Sequence, residues 1–154
     1  MDVLFVCLGN ICRSPTAEGV LRHKLHEAGL QGRVEVASAG TGEWHVGKPP
    51  DTRSQQAASR RGYDLSAQRA QQVSRADFAR YDLILAMDQS NLRNLKAMQP
   101  AQGKAELDLF LRRYAASVDE VPDPYYDGEQ GFERVLDLIE TACDELVIEL
   151  KGRL

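Results

Sequence analysis

Hydrophobic residues fall along this chain in two recurring patterns. Short, continuously apolar runs at Val3 to Val6 and within Tyr81 to Met87, with its Leu-Ile-Leu-Ala-Met, read as strands buried on both faces, as in a parallel sheet. Longer segments repeat at helical spacing. Ala17, Val20, Leu21, Leu25 and Ala28 mark one face of a helix that Ser14 is expected to cap, with Pro15 preorganised for its first turn and Gly29 as its stop. Val34 to Ala39, closed by Gly40, reads as the second strand, so the first third of the chain predicts a right-handed strand–helix–strand unit.

The remainder repeats this alternation. Asp51 is placed to cap a helix that runs to about Arg61 and stops at Gly62. Ser74 followed by Asp77 resembles a capping box for a short helix. Asp88 stands at the N-cap of a helix over Gln89 to Ala97, and Ala105 to Leu109 reads as a weaker fourth strand. In the last helix Phe132, Val135, Leu136, Ile139, Ala142, Cys143, Leu146, Val147 and Leu150 form a continuous apolar stripe. The prediction is an α/β, three-layer sandwich around a four-stranded parallel sheet, with residues 1–154 as a single domain. The stretch 40–50, with Gly40, Gly42, Gly47, Pro49-Pro50 and Trp44, is longer than a plain connection needs.

Composition narrows the function classes. The 154 residues are 43% apolar, enough for one core without disulfides or a structural metal. Nineteen basic against 23 acidic residues leave a net charge of −4, which argues against nucleic acid or an anionic membrane as partner. An anionic ligand must therefore be held by a local site. Three cysteines point to a reducing compartment rather than a disulfide scaffold. With no signal-peptide pattern and no apolar run near the ~20 residues that span a bilayer, the expected location is cytoplasmic.

The chemistry concentrates where the first strand feeds the first helix, through Cys7-Leu8-Gly9-Asn10-Ile11-Cys12-Arg13-Ser14. A loop wound between a strand end and a helix N-terminus turns backbone N–H groups inward and adds the positive end of the helix dipole, a nest for a phosphate-sized anion. Gly9 and Asn10 are the residue types that tolerate the positive φ such winding needs. The same field favours a thiolate at Cys7, and Arg13 supplies a planar fork for two phosphate oxygens.

This loop, with Val6 before it and Pro15 after it, resembles the phosphate-binding loop of the low-molecular-weight protein tyrosine phosphatases. The resemblance extends through Ser38-Ala39-Gly40-Thr41, Trp44-His45-Val46-Gly47, Asp77-Phe78, Tyr81 to Asp88, and Asp123-Pro124-Tyr125-Tyr126. It implies hydrolysis of phosphotyrosine on proteins without metal or cofactor. Cys7 would be the nucleophile, Arg13 and the loop from Leu8 to Ser14 the phosphate binders, and Asp123 the general acid and base. Asp88 is the competing carboxylate, although capping a helix explains it. Ser14 would bond the Cys7 sulfur, Asn10 and Ser38 would bond each other, and Trp44, Tyr125 and Tyr126 would wall the cleft. For Cys12 the resemblance implies a protective disulfide with Cys7, beside the alternative of a buried thiol; Cys143 reads as core. Where many members carry a His and an Arg, this chain has Gln68 and Gln71, and the missing His is expected to weaken the support of Asn10, although a Gln amide could replace it. Implied partners are phosphotyrosine-bearing proteins, a bacterial tyrosine kinase being one candidate.

Rival chemistries fit less well. Arsenate reduction needs two further paired cysteines, and only Cys143 is left. Arginine phosphatases of this family carry Thr where Ile11 stands, and an apolar neighbour favours a tyrosyl ring over a guanidinium. A phosphocysteine carrier must exclude water, which Arg13 and a late Asp do not serve. A phosphotyrosine-binding module without activity would not need nucleophile, Arg and acid together.

Overall fold

The computed structural model describes residues 1–114 and 116–154. Four strands, β1 (Asp2–Cys7), β2 (Glu35–Gly40), β3 (Leu83–Ala86) and β4 (Glu106–Leu109), form one sheet in the order β2-β1-β3-β4 with every pair parallel. Among the described residues six helices accompany them: α1 (Arg13–Glu27), α2 (Thr52–Arg60), α3 (Asp77–Arg80), α4 (Gln89–Met98), α5 (Phe110–Arg113) and α6 (Gly128–Arg153). The two faces of β1 show why its run is continuously apolar. Val3, Phe5 and Cys7 pack into one core with α1, α2, α5 and α6, while Leu4 and Val6 pack into a second with Phe78 of α3 and Leu92 and Leu95 of α4. Three layers follow directly.

Local signals act largely where the sequence put them. Asp51 caps α2 by accepting from the Arg53 N–H, Gly62 takes φ +89° after it, and Asp88 with Asn91 forms a complete capping box on α4. At Ser74 only half of the expected box exists: Asp77 accepts from the Ser74 N–H, and α3 is a single turn beginning at Asp77 itself. The start of α1 also differs. The helix begins at Arg13 with Cys12 at the cap position and no side-chain cap bond, because the Ser14 hydroxyl is engaged with Cys7 and Asn10 instead. Nor is the first half of α1 a one-faced stripe, since Arg13 through Leu21 are all buried. Leu65 covers Gly19 so closely that a Cβ there would stand 2.3 Å from Leu65 Cδ2.

The chain runs from β1 to β2 on one side and later to β3 on the other, so the sheet order reverses at the carboxyl end of β1, where open parallel sheets bind ligands. Gly40, paired with Cys7 at that end, leaves room for the loop: a Cβ on it would stand 2.7 Å from the Leu8 carbonyl oxygen.

Candidate active site

Between β1 and α1 the backbone winds with its carbonyls pointing outward. Cys7 O accepts from Thr41 N, Leu8 O from Gly42 N, Ile11 O from Asp51 N, and Cys12 O from Thr16. The winding leaves N–H groups on the inside. Those of Gly9, Ile11, Cys12 and Arg13 donate to no acceptor among the described residues, while Asn10 N–H donates to Cys7 Sγ at 3.3 Å. Amides left over in this way, next to a helix terminus without a side-chain cap, form a concave donor set for an oxyanion. Asn10 alone takes the left-handed conformation, at φ +56°. Gly9 does not, contrary to the expectation for it. Its missing side chain instead admits the His45 ring, whose Cδ2 lies 3.0 Å from where a Cβ would be.

Cys7 and Arg13 are both buried, and the Ser14 hydroxyl lies 2.9 Å from the Cys7 sulfur. Arg13 is oriented from behind: Nη1 donates to Asp88 Oδ2 at 2.7 Å and to Val121 O at 3.1 Å. Burial works against its charge, but the Cys7 sulfur and the Asp88 carboxylate outweigh it and hold the guanidinium above its ordinary value. Asp88 is thus occupied twice, capping α4 and anchoring Arg13. Asp123 differs in that its side chain is 52% exposed, with Oδ2 3.8 Å from Arg13 Nη2 and Oδ1 accepting from Tyr125 N–H.

The cleft over the loop, about 340 Å3, is lined by Cys7, the loop residues, Arg13, Trp44, His45, Asp123, Tyr125 and Tyr126. Tyr125 and Tyr126 meet edge to face at 5.0 Å, and the Trp44 ring folds back over Gly42, where any Cβ would overlap it. Three features in and around it were not anticipated. His45 lines the cleft, although it stood beside Trp44 in the stretch already singled out. Arg53 grips Asp51 through two nitrogens, donates to Tyr125 O at 2.8 Å and lies 5.1 Å from the Tyr125 ring centroid, so it ties α2 to the Asp123 loop. Glu18 reaches the network behind the loop by accepting from Ser38 Oγ at 2.8 Å.

That network contains the expected Asn10–Ser38 bond, Nδ2 to Oγ at 2.9 Å. The two glutamines contribute unequally. Asn10 is supported by the Gln71 backbone N–H and by neither Gln amide: Gln71 Nε2 donates to Ser38 O, whereas Gln68 Nε2 turns to Pro15 O and its buried Oε1 has no partner among the described residues. Cys7, Cys12 and Cys143 are free thiols, and burial pushes Cys12 up to about 12. Among the described residues no group of three or more His, Cys, Asp or Glu is placed to hold a metal ion.

The family model for low molecular weight phosphotyrosine protein phosphatase matches residues 2–153. The chain belongs to this family. A Synechocystis relative that carries the low molecular weight protein-tyrosine-phosphatase name is 46% identical over 152 residues, covering 97% of this chain and 96% of its own length. The low molecular weight protein-tyrosine-phosphatase YfkJ of Bacillus subtilis is 40% identical over 153 residues, spanning 98% of this chain and 96% of the relative. Its crystal structure superposes with a TM-score of 0.89 over 99% of this chain and 96% of its own. The crystal structure of a Drosophila arginine phosphatase, 33% identical, superposes with a TM-score of 0.91 over 98% of each chain. Membership of the low molecular weight phosphotyrosine protein phosphatases makes this chain a protein-tyrosine phosphatase, a hydrolase. Among the described residues no helix is long and apolar enough to cross a membrane.

Proposed function

We propose that the protein hydrolyses phosphotyrosine on proteins through a phosphocysteine at Cys7, with Arg13 and the loop amides as phosphate binders and Asp123 as acid and base. The observation that carries this is the meeting, in one cleft, of a thiol at the end of β1, inward amides without protein acceptors, an anchored Arg13 and an accessible Asp123. The Cys7 thiolate attacks phosphorus, the bond from phosphorus to the tyrosyl oxygen breaks, and protonated Asp123 gives that oxygen its proton. Water then attacks the phosphocysteine and loses its proton to Asp123, and the phosphorus–sulfur bond breaks. The departing thiolate is met by the Ser14 hydroxyl at 2.9 Å and by the Asn10 N–H. Developing charge on the phosphoryl oxygens falls on donors already in place, the main source of catalysis in such transfers.

Ile11 at the cleft wall and the Trp44, Tyr125 and Tyr126 rings support an aromatic rather than a guanidinium substrate. Recession of the Cys7 sulfur supports a long phosphotyrosine over phosphoserine. Burial disfavours the Cys12 thiolate and so slows a disulfide with Cys7, while the side chain packs into the core at the edge of the cleft. The proposed setting is the cytoplasm, where three free thiols persist, with phosphotyrosine proteins, a bacterial tyrosine kinase among them, as partners. The test is a parallel assay of phosphotyrosine, phosphoarginine and phosphoserine peptides. The expected order places phosphotyrosine first by at least about a hundredfold, some 3 kcal/mol. A higher kcat/KM on phosphoarginine would replace the tyrosine assignment with the activity named for the Drosophila structure.

A further inference from the structure

Behind the loop a chain of hydrogen bonds leads from the Cys7 sulfur to a carboxylate that takes no part in the chemistry above. Its directions can be deduced. The Gln71 backbone N–H only donates, so the Asn10 atom facing it at 2.9 Å is the side-chain oxygen. Asn10 Nδ2 therefore faces the other way and spends its two protons on Ser14 Oγ at 2.8 Å and Ser38 Oγ at 2.9 Å. Each serine oxygen, having accepted, keeps its own proton for its next neighbour. For Ser14 the nearer acceptor is Cys7 Sγ at 2.9 Å, with Ala39 O at 3.4 Å as the other one in reach, and for Ser38 it is Glu18 Oε1 at 2.8 Å.

Glu18 is 8% exposed, and Arg22, one turn further along α1, is the one charged side chain that pairs with it among the described residues, at 2.9 Å from Oε2. Arg22 is itself fixed to Val36 O at 2.7 Å. Burial pushes the Glu18 carboxyl up, against the opposing pulls of Ser38 and Arg22. Burying a carboxylate costs stability, which its bonds to Ser38 and Arg22 offset. An ionised carboxylate can only accept, so Ser38 must donate to it and must offer its lone pairs to Asn10.

We infer that Glu18 is a positioning residue for the hydrolysis: as the fixed acceptor at the far end of the Cys7–Ser14–Asn10–Ser38 chain, it keeps the Ser14 hydroxyl as donor to the Cys7 sulfur. Without that acceptor the Ser38 proton is free to turn toward Asn10, where two donors would face each other. Asn10 then shifts or gives up one bond, and Ser14 loses the contact that aims its proton. The inference rests on the proposed role of Cys7 as nucleophile, but its consequence is read at the sulfur rather than in turnover.

The experiment measures iodoacetamide alkylation of Cys7 in the full chain against pH, with the Cys7 peptide followed by mass spectrometry. Glu18→Met is expected to slow alkylation about 5- to 10-fold below neutral pH and to displace the profile upward by about half to one pH unit. Glu18→Gln keeps an oxygen acceptor for Ser38 and is expected to stay within about twofold of the parent. In a Ser14→Ala background, Glu18→Met is expected to add nothing further, because the donor it positions is already gone. An undisplaced Glu18→Met profile overturns the inference. So does a Glu18→Gln profile displaced as far as that of Glu18→Met, or a shift that adds fully to that of Ser14→Ala. Should Glu18→Met fail to fold, Ser38→Ala breaks the same chain one link nearer and must give the same displacement; an unchanged profile there overturns the inference equally. The role of Cys7 fails on different grounds, namely parental turnover of an aryl phosphate by Cys7→Ser.

Discussion

Asp88 offers a perturbation whose two consequences can be separated. Its Oδ1 accepts from Asn91 N–H at 2.8 Å in the capping box of α4, and its Oδ2 accepts from Arg13 Nη1 at 2.7 Å. Asparagine is as good an N-cap as aspartate but has a single oxygen, so with that oxygen on Asn91 N–H its NH2 group faces Arg13, and Asp88→Asn keeps the cap while removing the acceptor and counter-charge of Arg13. A hydrogen bond to a charged group contributes about 1.5–3 kcal/mol against about 1 for a neutral one. Loss of about 2 kcal/mol at Arg13 predicts a kcat/KM about 30-fold lower and a Tm lower by about 4–8 °C. Asp88→Ala removes the cap, about 1 kcal/mol, and leaves the Arg13 guanidinium, its side chain 4% exposed, without its closest counter-charge. The combined loss of about 3 kcal/mol predicts a Tm fall of about 6–12 °C, and the share of about 2 kcal/mol that falls on Arg13 should lower kcat/KM about 30-fold. Steady-state hydrolysis of an aryl phosphate and thermal unfolding followed by circular dichroism, on the same preparations, read both. If Asp88→Ala lowers the Tm only by the share of the cap and leaves kcat/KM unchanged, Val121 O suffices to orient Arg13 and the clamp has no part in catalysis.

Further predictions concern the acid, the second loop cysteine and the far end of the molecule. Asp123→Ala should slow phenyl phosphate, which needs leaving-group protonation, by about a hundredfold or more and p-nitrophenyl phosphate far less; equal losses would assign the proton to another group. With its thiol pushed up to about 12, Cys12 should alkylate at pH 8 about three orders of magnitude more slowly than an ordinary thiol in the native chain; comparable rates by peptide mass spectrometry would contradict its packing. Glu149 is held below the usual carboxylate range first by Arg113, then by Tyr114 and Arg153. Its contribution is therefore complete above the ordinary carboxylate pKa and is lost as pH falls through the depressed value, so Tm against pH should fall less steeply for Arg113→Met; parallel curves would refute this.

What the sequence disclosed, and what it did not, divides along the range of each interaction. The buried run of β1, the caps at Asp51 and Asp88 and the stop at Gly62 are set by neighbours within a few residues, and the structure has them in place. The single-turn α5 has no such signal, since Phe110 and Leu111 are dictated by the core they enter. At Ser14 two local logics compete. A serine before proline reads as a cap, yet the loop leaves the helix end without a side-chain cap and turns the hydroxyl to Cys7. The loop itself was legible because strand end, Gly-Asn and helix start are contiguous. Asp88 with Arg13, Arg53 with Tyr125, and Glu18 with Ser38 are contacts between segments that only the sheet order brings together, and no spacing rule announces them. Gly9 shows the converse: the residue type was informative, but what it accommodates is the His45 ring and not a positive φ.

The central claim is a covalent intermediate on one sulfur, and a rapid denaturing quench during turnover tests it most directly. In Asp123→Ala with p-nitrophenyl phosphate, transfer to the enzyme stays fast while hydrolysis slows, so the intermediate accumulates. Mass spectrometry of the quenched chain should find one phosphoryl group, on the peptide containing Cys7, and none when Cys7 is replaced by Ser. A phosphoryl group on any other residue, or undiminished turnover without the Cys7 thiol, would contradict the account.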